Sequence, residues 1–564
     1  MMRVKAFCLS LLFLSISLCT AAEYPETSGI TIAKGWTGKV LARGAKVHSA
    51  NGIEFDSADR LYIASLFGIN ITVMDPDTGK VLHRFGPDRG VEAPDDVAIG
   101  PDGSVYYTSL FTGEVGRISP DGTKSTAAVL GAPVNPIAFS SSGQLFVGAS
   151  FGDRLYEVDV QGTRKPKLIA KGLGGINGMD FGPDGFLYSP LPDRGEVIRI
   201  NVDSGASDIV ATGLTSPTAV NFDSHGRLYL TEYQTGQVLR IDAQTGAKEI
   251  VATIRPGLDN LAFDSRDRLF VSGGFAGGYI VEVQSDGSTR RVSRNGMIAP
   301  GGVAVQNRNG RETVFVADSI GGLRAFDGIT GRRGDVDGVL FVSGPGPRTV
   351  SPDGDNLLLS SGANVEVWDP EKREVTQTYE PLFDEPSNAI RFQGDVVIGE
   401  VNTGSVVLLP SAQDPSERII LTDKLERPAG LVATDNDLWV SDSTTGTVWQ
   451  IVADGKRLKK PIQVATGLST PEGLALRKKD LLVVESGAGR LSAIHLATGK
   501  VRTIVTGLKL GPEGAPAQPA PHFFSGVAVG ESGAVYVTGD QTNVLYRFEQ
   551  KKQGAGTSTI FEED

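Results

Sequence analysis

The sequence predicts an all-β fold, a β-propeller of twelve four-stranded repeats, on three observations. First, one template recurs: a polar or Gly pair, three or four alternating apolar residues, "xxDGxLYV", a Gly-containing turn, "xVxRI", and a last strand ending near Gly. Second, the apolar residue after the leading pair falls at Ile53, Val97, Ile137, Met179, Val220, Leu261, Val303, Val350, Ile390, Leu431, Leu474 and Val527, so most copies lie 40 to 44 residues apart. Four short antiparallel strands every forty-odd residues is the signature of propeller blades. Third, 71 Gly in 564 residues, with 40% hydrophobic and 7% aromatic residues, suits a turn-rich β protein.

The chain opens with "MMRVKAFCLSLLFLSISLCTAAEYPE": two basic residues, a short apolar core from Ala6 to Leu18, then small residues. That pattern predicts a secretory signal peptide over 1–22, cleaved near Ala21 or Ala22. The core is shorter than the roughly 20 apolar residues a membrane anchor needs. Cys8 and Cys19 are both inside it, so the expected mature chain has no thiol, which excludes thiolate-bound metals and a Cys nucleophile. Arg3 and Lys5 leave with the signal, taking the net charge from -12 to -14. An acidic surface opposes nucleic acid and anionic membranes. The reading is a secreted or periplasmic protein without a membrane span.

"GKVLARG", ahead of the first copy, reads as an orphan fourth strand. Copy five shows the blade plan: "TAVNFD", "RLYLTE", "GQVLRID" and "KEIVAT", joined by "SHG", "YQTG" and "AQTG". Two tandem six-bladed rings, 23–290 and 291–564, are expected, with one twelve-bladed ring as the alternative. In that reading "GKVLARG" closes a blade with "GYIVEV" of copy six, and "STRRVSRNG" does the same for copy twelve. The eighth copy starts 47 residues after the seventh, and the last 53 after the eleventh, across the Pro-rich "LGPEGAPAQPAPHFF".

The first strand of every blade lines a propeller's channel, so equivalent positions meet around one axis. Two residues before each marker stand Asn51, Asp95, Asn135, Asn177, Thr218 and Asp259 in the first six copies. In the last six stand Gly301, Arg348, Asn388, Ala429, Glu472 and Ser525. Five amide or carboxylate oxygens on one axis suit a hard divalent cation, Ca²⁺ by its all-oxygen shell. Asn51, Asp95, Asn135, Asn177 and Asp259 are the candidate metal ligands; the competing reading is strand caps with local hydrogen bonds. His48 and His522 each stand three residues before the channel position of their copy, where a His can act as general base. Asp95 and His48 are the candidate catalytic residues. Glu232, Glu400, Asp442, Glu485 and Asp540 follow the second strand of their copies and read as structural bonds to blade-to-blade turns. No HExxH, G-x-S-x-G or phosphate-binding loop is present.

The stretches "NGIEFDSADRLYIAS", "PDDVAIGPDGSVYYTS", "INGMDFGPDGFLYSP" and "LYLTEYQTGQVLRI" resemble the gluconolactonase/regucalcin-like six-bladed propellers, with kinship to NHL-repeat and virginiamycin B lyase-like propellers. The resemblance implies one divalent metal in the channel that polarises a lactone carbonyl and activates water. It carries over Asn177 and Asn135 as ligands. Thr218 stands where the group has an Asp, and Asn51 occupies the first copy, where no match to the group's Glu is found. The expectation is an exported, metal-dependent, lactonase-like hydrolase or lyase acting on a small substrate, cyclic ones included, conceivably in secondary metabolism. The alternative is a non-enzymatic binding or scaffold propeller presenting its loops to a protein partner.

Overall fold

A computed structural model describes residues 29–562 apart from 132, 150–152, 275–277, 295, 309, 340–345, 362–363, 380–382, 411–416, 512–523 and 552–560. The expected signal peptide and His522 lie outside the described residues. Twelve sheets follow one another along the chain, ten of them with four antiparallel strands in the order of the sequence; the eleventh and twelfth also take in strands from the start of the chain. The only helical turns among the described strands are single 3₁₀ turns such as Pro87–Arg89 and Ser486–Ala488. The protein is a β-propeller.

Each strand type has its own pattern. Second strands such as Leu61–Ser65, Leu187–Leu191 and Leu228–Glu232 are buried at every residue, because neighbouring blades cover both their faces. Outer strands such as Ser207–Ala211 are largely exposed. The turns between first and second strands are closed by Asp. Asp56 Oδ1 accepts from Ala58 N and Arg60 N, and Asp223 Oδ1 accepts from His225 N and Arg227 N. An ion pair to the Arg four residues on fixes the same turn.

The joints between blades show where the circuit closes. In the first half, an aromatic residue on the second strand of one blade packs on the Phe that ends the first strand of the next. The pairs are Tyr106–Phe139, Phe146–Phe181, Tyr188–Phe222 and Tyr229–Phe263, with centroids 5.0 to 5.3 Å apart. Phe270 of the sixth blade continues the series by packing on Phe55 of the first, at 5.0 Å. Hydroxyls repeat the message. Thr231 Oγ1 donates to the Asp259 carbonyl of the next blade, and Ser272 Oγ donates 2.7 Å to the carbonyl of Asn51. In the second half Ser441 Oγ donates to the Glu472 carbonyl, and Thr538 Oγ1 of the twelfth blade to the Gly301 carbonyl of the seventh. The inner strands Ile53–Phe55 and Leu261–Phe263 pack together, as do Pro300–Arg308 and Val527–Val529. Two circuits of six blades result.

The strand Trp36–Arg43, which contains "GKVLARG", overturns one expectation. It pairs antiparallel with Val544–Gln550 as the outer strand of the twelfth blade, and the sixth blade is completed by its own Thr289–Ser293. The cause is twofold. Thr289–Ser293 follows its partner Tyr279–Val283 through a tight "QSDGS" turn, so its loop closes at little entropic cost. Leu41 and Ala42 meanwhile bury among Val303, Phe326, Tyr536 and Leu545. Residues 31–43 therefore belong with 297–550, not with the first ring, and Thr31–Ile32 adds a fifth strand to the eleventh blade. The chain enters through the second ring, makes the whole first ring, and returns.

Candidate active site

The residues two before each marker head the inner strands of the first ring. Asn51 is buried, while Asp95, Asn135, Asn177, Thr218 and Asp259 keep part of their surface open. Asn51 Nδ2 donates 3.1 Å to Asp259 Oδ2, and Asn135 Nδ2 donates 3.1 Å to Asn177 Oδ1. Thr218 turns its hydroxyl to Thr231 within its own blade, which takes it out of the oxygen set. The Asp95 carbonyl accepts from Gly52 N at 2.8 Å, while its carboxyl has no hydrogen-bond partner among the described residues. Burial, then the neighbouring Asp259 and Asp96, push its carboxyl well above the ordinary range. Burial raises Asp259 to about 6, with the Asn51 hydrogen bond opposing the rise.

Four further groups escaped the positional rule. Asp96, pushed by burial to about 7, accepts at Oδ1 from Asn260 Nδ2 at 3.3 Å and at Oδ2 from Ile137 N at 3.2 Å. Asn260 is in the sixth blade and Asp96 in the second, so this bond passes over the first blade at Gly52. A Cβ on Gly52 would lie 2.1 Å from Asp96 Oδ1. The Gly of "NG" is there because a carboxylate occupies its side-chain space, not because the chain turns. One step further along the strands, Glu54 and Asp180 stand in the first and fourth blades, opposite each other in a ring of six. Burial raises Glu54 to about 8, with Asp180 and Asp96 adding to the rise, and raises Asp180 to about 6. Asp180 accepts from Phe181 N and from Phe222 N of the next blade. The sequence signal was the matching pair "NGIEF" and "NGMDF", three copies apart. The charged groups acting on these buried carboxyls are other carboxyls.

The second ring differs. A Cβ at Gly301, Gly302, Gly430, Gly473 or Gly526 would lie 2.3 to 2.7 Å from the neighbouring chain, so the inner strands close in. Its polar residues are spent on structure. Arg348 Nη1 bonds Glu385 at 3.0 Å, Asn388 Oδ1 accepts from Leu431 N, and Glu472 Oε2 accepts from Ser525 N at 2.7 Å. The acids after the second strands bear out their structural reading. Glu232, Asp442 and Glu485 accept backbone N–H groups of the loop leading into their blade, as does Asp540 from Gly511 N.

His48, the candidate general base, makes its contact with the second ring. Its Nε2 lies 2.6 Å from the carbonyl of Asp540, in the twelfth blade, and burial lowers its pKa. The segment that follows Arg43 crosses from one ring to the other, and this contact ties it down.

Whether the oxygens suit a cation can be judged from the donor set. It is all oxygen, with Asp95 and Asp259 as the charges and no base opposing them, which fits a hard ion in chemistry. Asn51 and Asn135 present nitrogen to their neighbours and would have to turn their amides over to present oxygen. No three His, Cys, Asp or Glu side chains among the described residues gather as a metal cluster, so amide oxygens would have to complete the shell.

No protein-family model matches the sequence, and no curated protein sequence matches it. Solved structures match in fold. A streptogramin B lyase is 16% identical over 50% of this chain and 94% of its own, with a TM-score of 0.36. Virginiamycin B lyase from Staphylococcus aureus is 16% identical over 50% and 97%, with a TM-score of 0.37. The extracellular domain of a putative one-component system from B. thetaiotaomicron is 11% identical over 91% and 82%, with a TM-score of 0.32. The gluconolactonase likeness is one of sequence motifs, and no family model supports it.

Proposed function

We propose that the protein is an exported propeller hydrolase or lyase that works on a small substrate, cyclic ones included, at the head of the first ring. The observation that carries this is the gathering of Asp95, Asp96 and Asp259 at the head of the ring, where Asn51 Nδ2 donates to Asp259 and Asn260 Nδ2 to Asp96, with no basic group among the charges acting on the three. Asp96 at about 7 and Asp259 at about 6 are poised to take or give a proton near neutral pH. Asp95, without a hydrogen bond to hold its carboxyl, is the base or acid that meets substrate. Asn51 orients Asp259, and Asn260 orients Asp96. A divalent cation, Ca²⁺ by its ligands, would be held by Asp95, Asp259 and the oxygens of Asn51, Asn135 and Asn177. When bound it would supply Lewis-acid polarisation of a carbonyl or leaving oxygen. His48 is better read as part of the junction than as the base.

Melting of chelator-treated protein with and without Ca²⁺ tests this. A ligand at about 100 times its dissociation constant stabilises the native state by roughly 2.7 kcal/mol. Melting should rise with Ca²⁺, Asp95→Ala should abolish most of the rise, and Glu472→Ala in the second ring should leave it. If Ca²⁺, Mg²⁺, Mn²⁺ and Zn²⁺ all leave melting unchanged and elemental analysis finds no metal, the cation part is wrong.

A further inference from the structure

On the same face as the ring oxygens, between the fifth and sixth blades, two groups lack the partners their chemistry calls for. Tyr279 is only 3% exposed, yet its hydroxyl has no hydrogen-bond partner among the described residues. Buried phenols ordinarily find one. Its ring lies across Gly273, where a Cβ would be 2.1 Å away, so the glycine is what lets the ring lie there. The Arg255 guanidinium stands over that ring, 5.7 Å from its centroid, and no carboxylate or carbonyl partner is recorded for it among the described residues. Tyr233 beside them is partly exposed. Its electrostatic neighbours are Asp259 on one side and Tyr279 on the other. Gly257 N donates 2.6 Å to the Tyr233 carbonyl, and Gly236 packs against Arg255 backbone, so the turn and the loop carrying these residues are fixed together. Asp259, Tyr233, Tyr279 and Arg255 are thus successive neighbours.

We infer that Tyr233, Tyr279 and Arg255 form a binding subsite for a carboxylate carried on an aromatic or other flat ring. A guanidinium fork matches a carboxylate in geometry and charge, and a phenol hydroxyl donates to the same oxygens. The partly exposed Tyr233 ring supplies a flat apolar wall at little entropic cost. Burial raises both phenols, so they are donors at neutral pH. The subsite rests on the proposed function only in holding the end of a substrate whose other end reaches Asp259 and Asp95. A carboxylate belongs at Arg255, because nearer Asp259 it would meet the acidic cluster.

Calorimetric titration of the full chain with benzoate, benzyl alcohol and benzylamine is the test. Benzoate should bind at least about tenfold more tightly than the other two, the scale of one charge-assisted pair. Arg255→Gln should weaken benzoate about tenfold, and Tyr279→Phe severalfold. Tyr279→Phe should not lower melting, since it removes only a hydroxyl without a partner. Both variants should keep the melting rise given by Ca²⁺. If that rise is missing in the parent while benzoate still depends on Arg255, the cation reading fails and the subsite stands. No benzoate binding by the parent, benzylamine binding as tightly as benzoate, or an unchanged affinity in Arg255→Gln would overturn the subsite.

Discussion

A methyl group added at Gly52 would meet both the carboxylate of Asp96 and its Cα, the latter at 2.6 Å. Gly52→Ala should therefore cost about 1–3 kcal/mol by overpacking, read as a lower melting of the first ring, and should break the Asp96–Asn260 bond. Glu54 gives a test in pH. Its folded pKa of about 8 lies above the ordinary carboxylate value of 4.5. Below about pH 4.5 it is protonated folded or unfolded. As pH rises towards 8 the unfolded chain ionises while the folded chain resists, so stability is lost across that window. Glu54→Gln, which keeps an oxygen for Phe55 N, should melt like the parent at pH 4 and higher at pH 8, by on the order of 4 kcal/mol. Asn51, Asp95, Asn135, Asn177 and Asp259 were legible as an axial set because equivalent positions in a repeat must meet. Asp96, Asn260, Glu54 and Asp180 were not. The groups they act on lie in other blades, and only the closed ring shows what they reach.

At the scale of strands and blades, the aromatic joints make a prediction about closure. Phe146 and Phe270 are both fully buried, one at a joint inside the series and the other at the joint that shuts it. Phe146→Ala and Phe270→Ala should each cost about 3–5 kcal/mol and lower the same unfolding transition in calorimetry. If Phe270→Ala were much the milder, the first ring would not be closed as described. The blades were legible in the sequence because Phe, "DG" turns and "LYV" strands recur in fixed order. The partner of "GKVLARG" was not. A spare strand of this pattern fits any exposed outer edge, and the choice came from which blade lacked a fourth strand of its own.

For the whole molecule, the crossing points matter most. A Cβ on Gly296 would fall 2.7 Å from the Gly44 Cα, and Ala45 N donates 2.9 Å to the Met297 carbonyl. The first ring is thus an insertion whose ends touch, the arrangement in which a domain can be removed or folded alone. Residues 45–296 should express as a cooperatively melting β domain. Residues 23–290 should not, because that piece carries Trp36–Arg43 without its partner and cuts the outer strand Thr289–Ser293. Size-exclusion chromatography and thermal melting of the two pieces decide the matter. Equal behaviour would contradict the assignment of residues 31–43 to the second ring.

The order of synthesis turns that threading into a question of time. Thr37 finds its partner Glu549 across 512 residues. At roughly 5–20 residues per second, the strand that seals the second ring waits on the order of 25 to 100 seconds for the edge it will seal. During that interval every blade of the first ring is made, and each offers an outer edge that the waiting strand could join. Lys39 and Arg43 within Trp36–Arg43 are the kind of charges that discourage such pairing. The last residues to emerge decide whether the first ones were kept in reserve or lost to a neighbour.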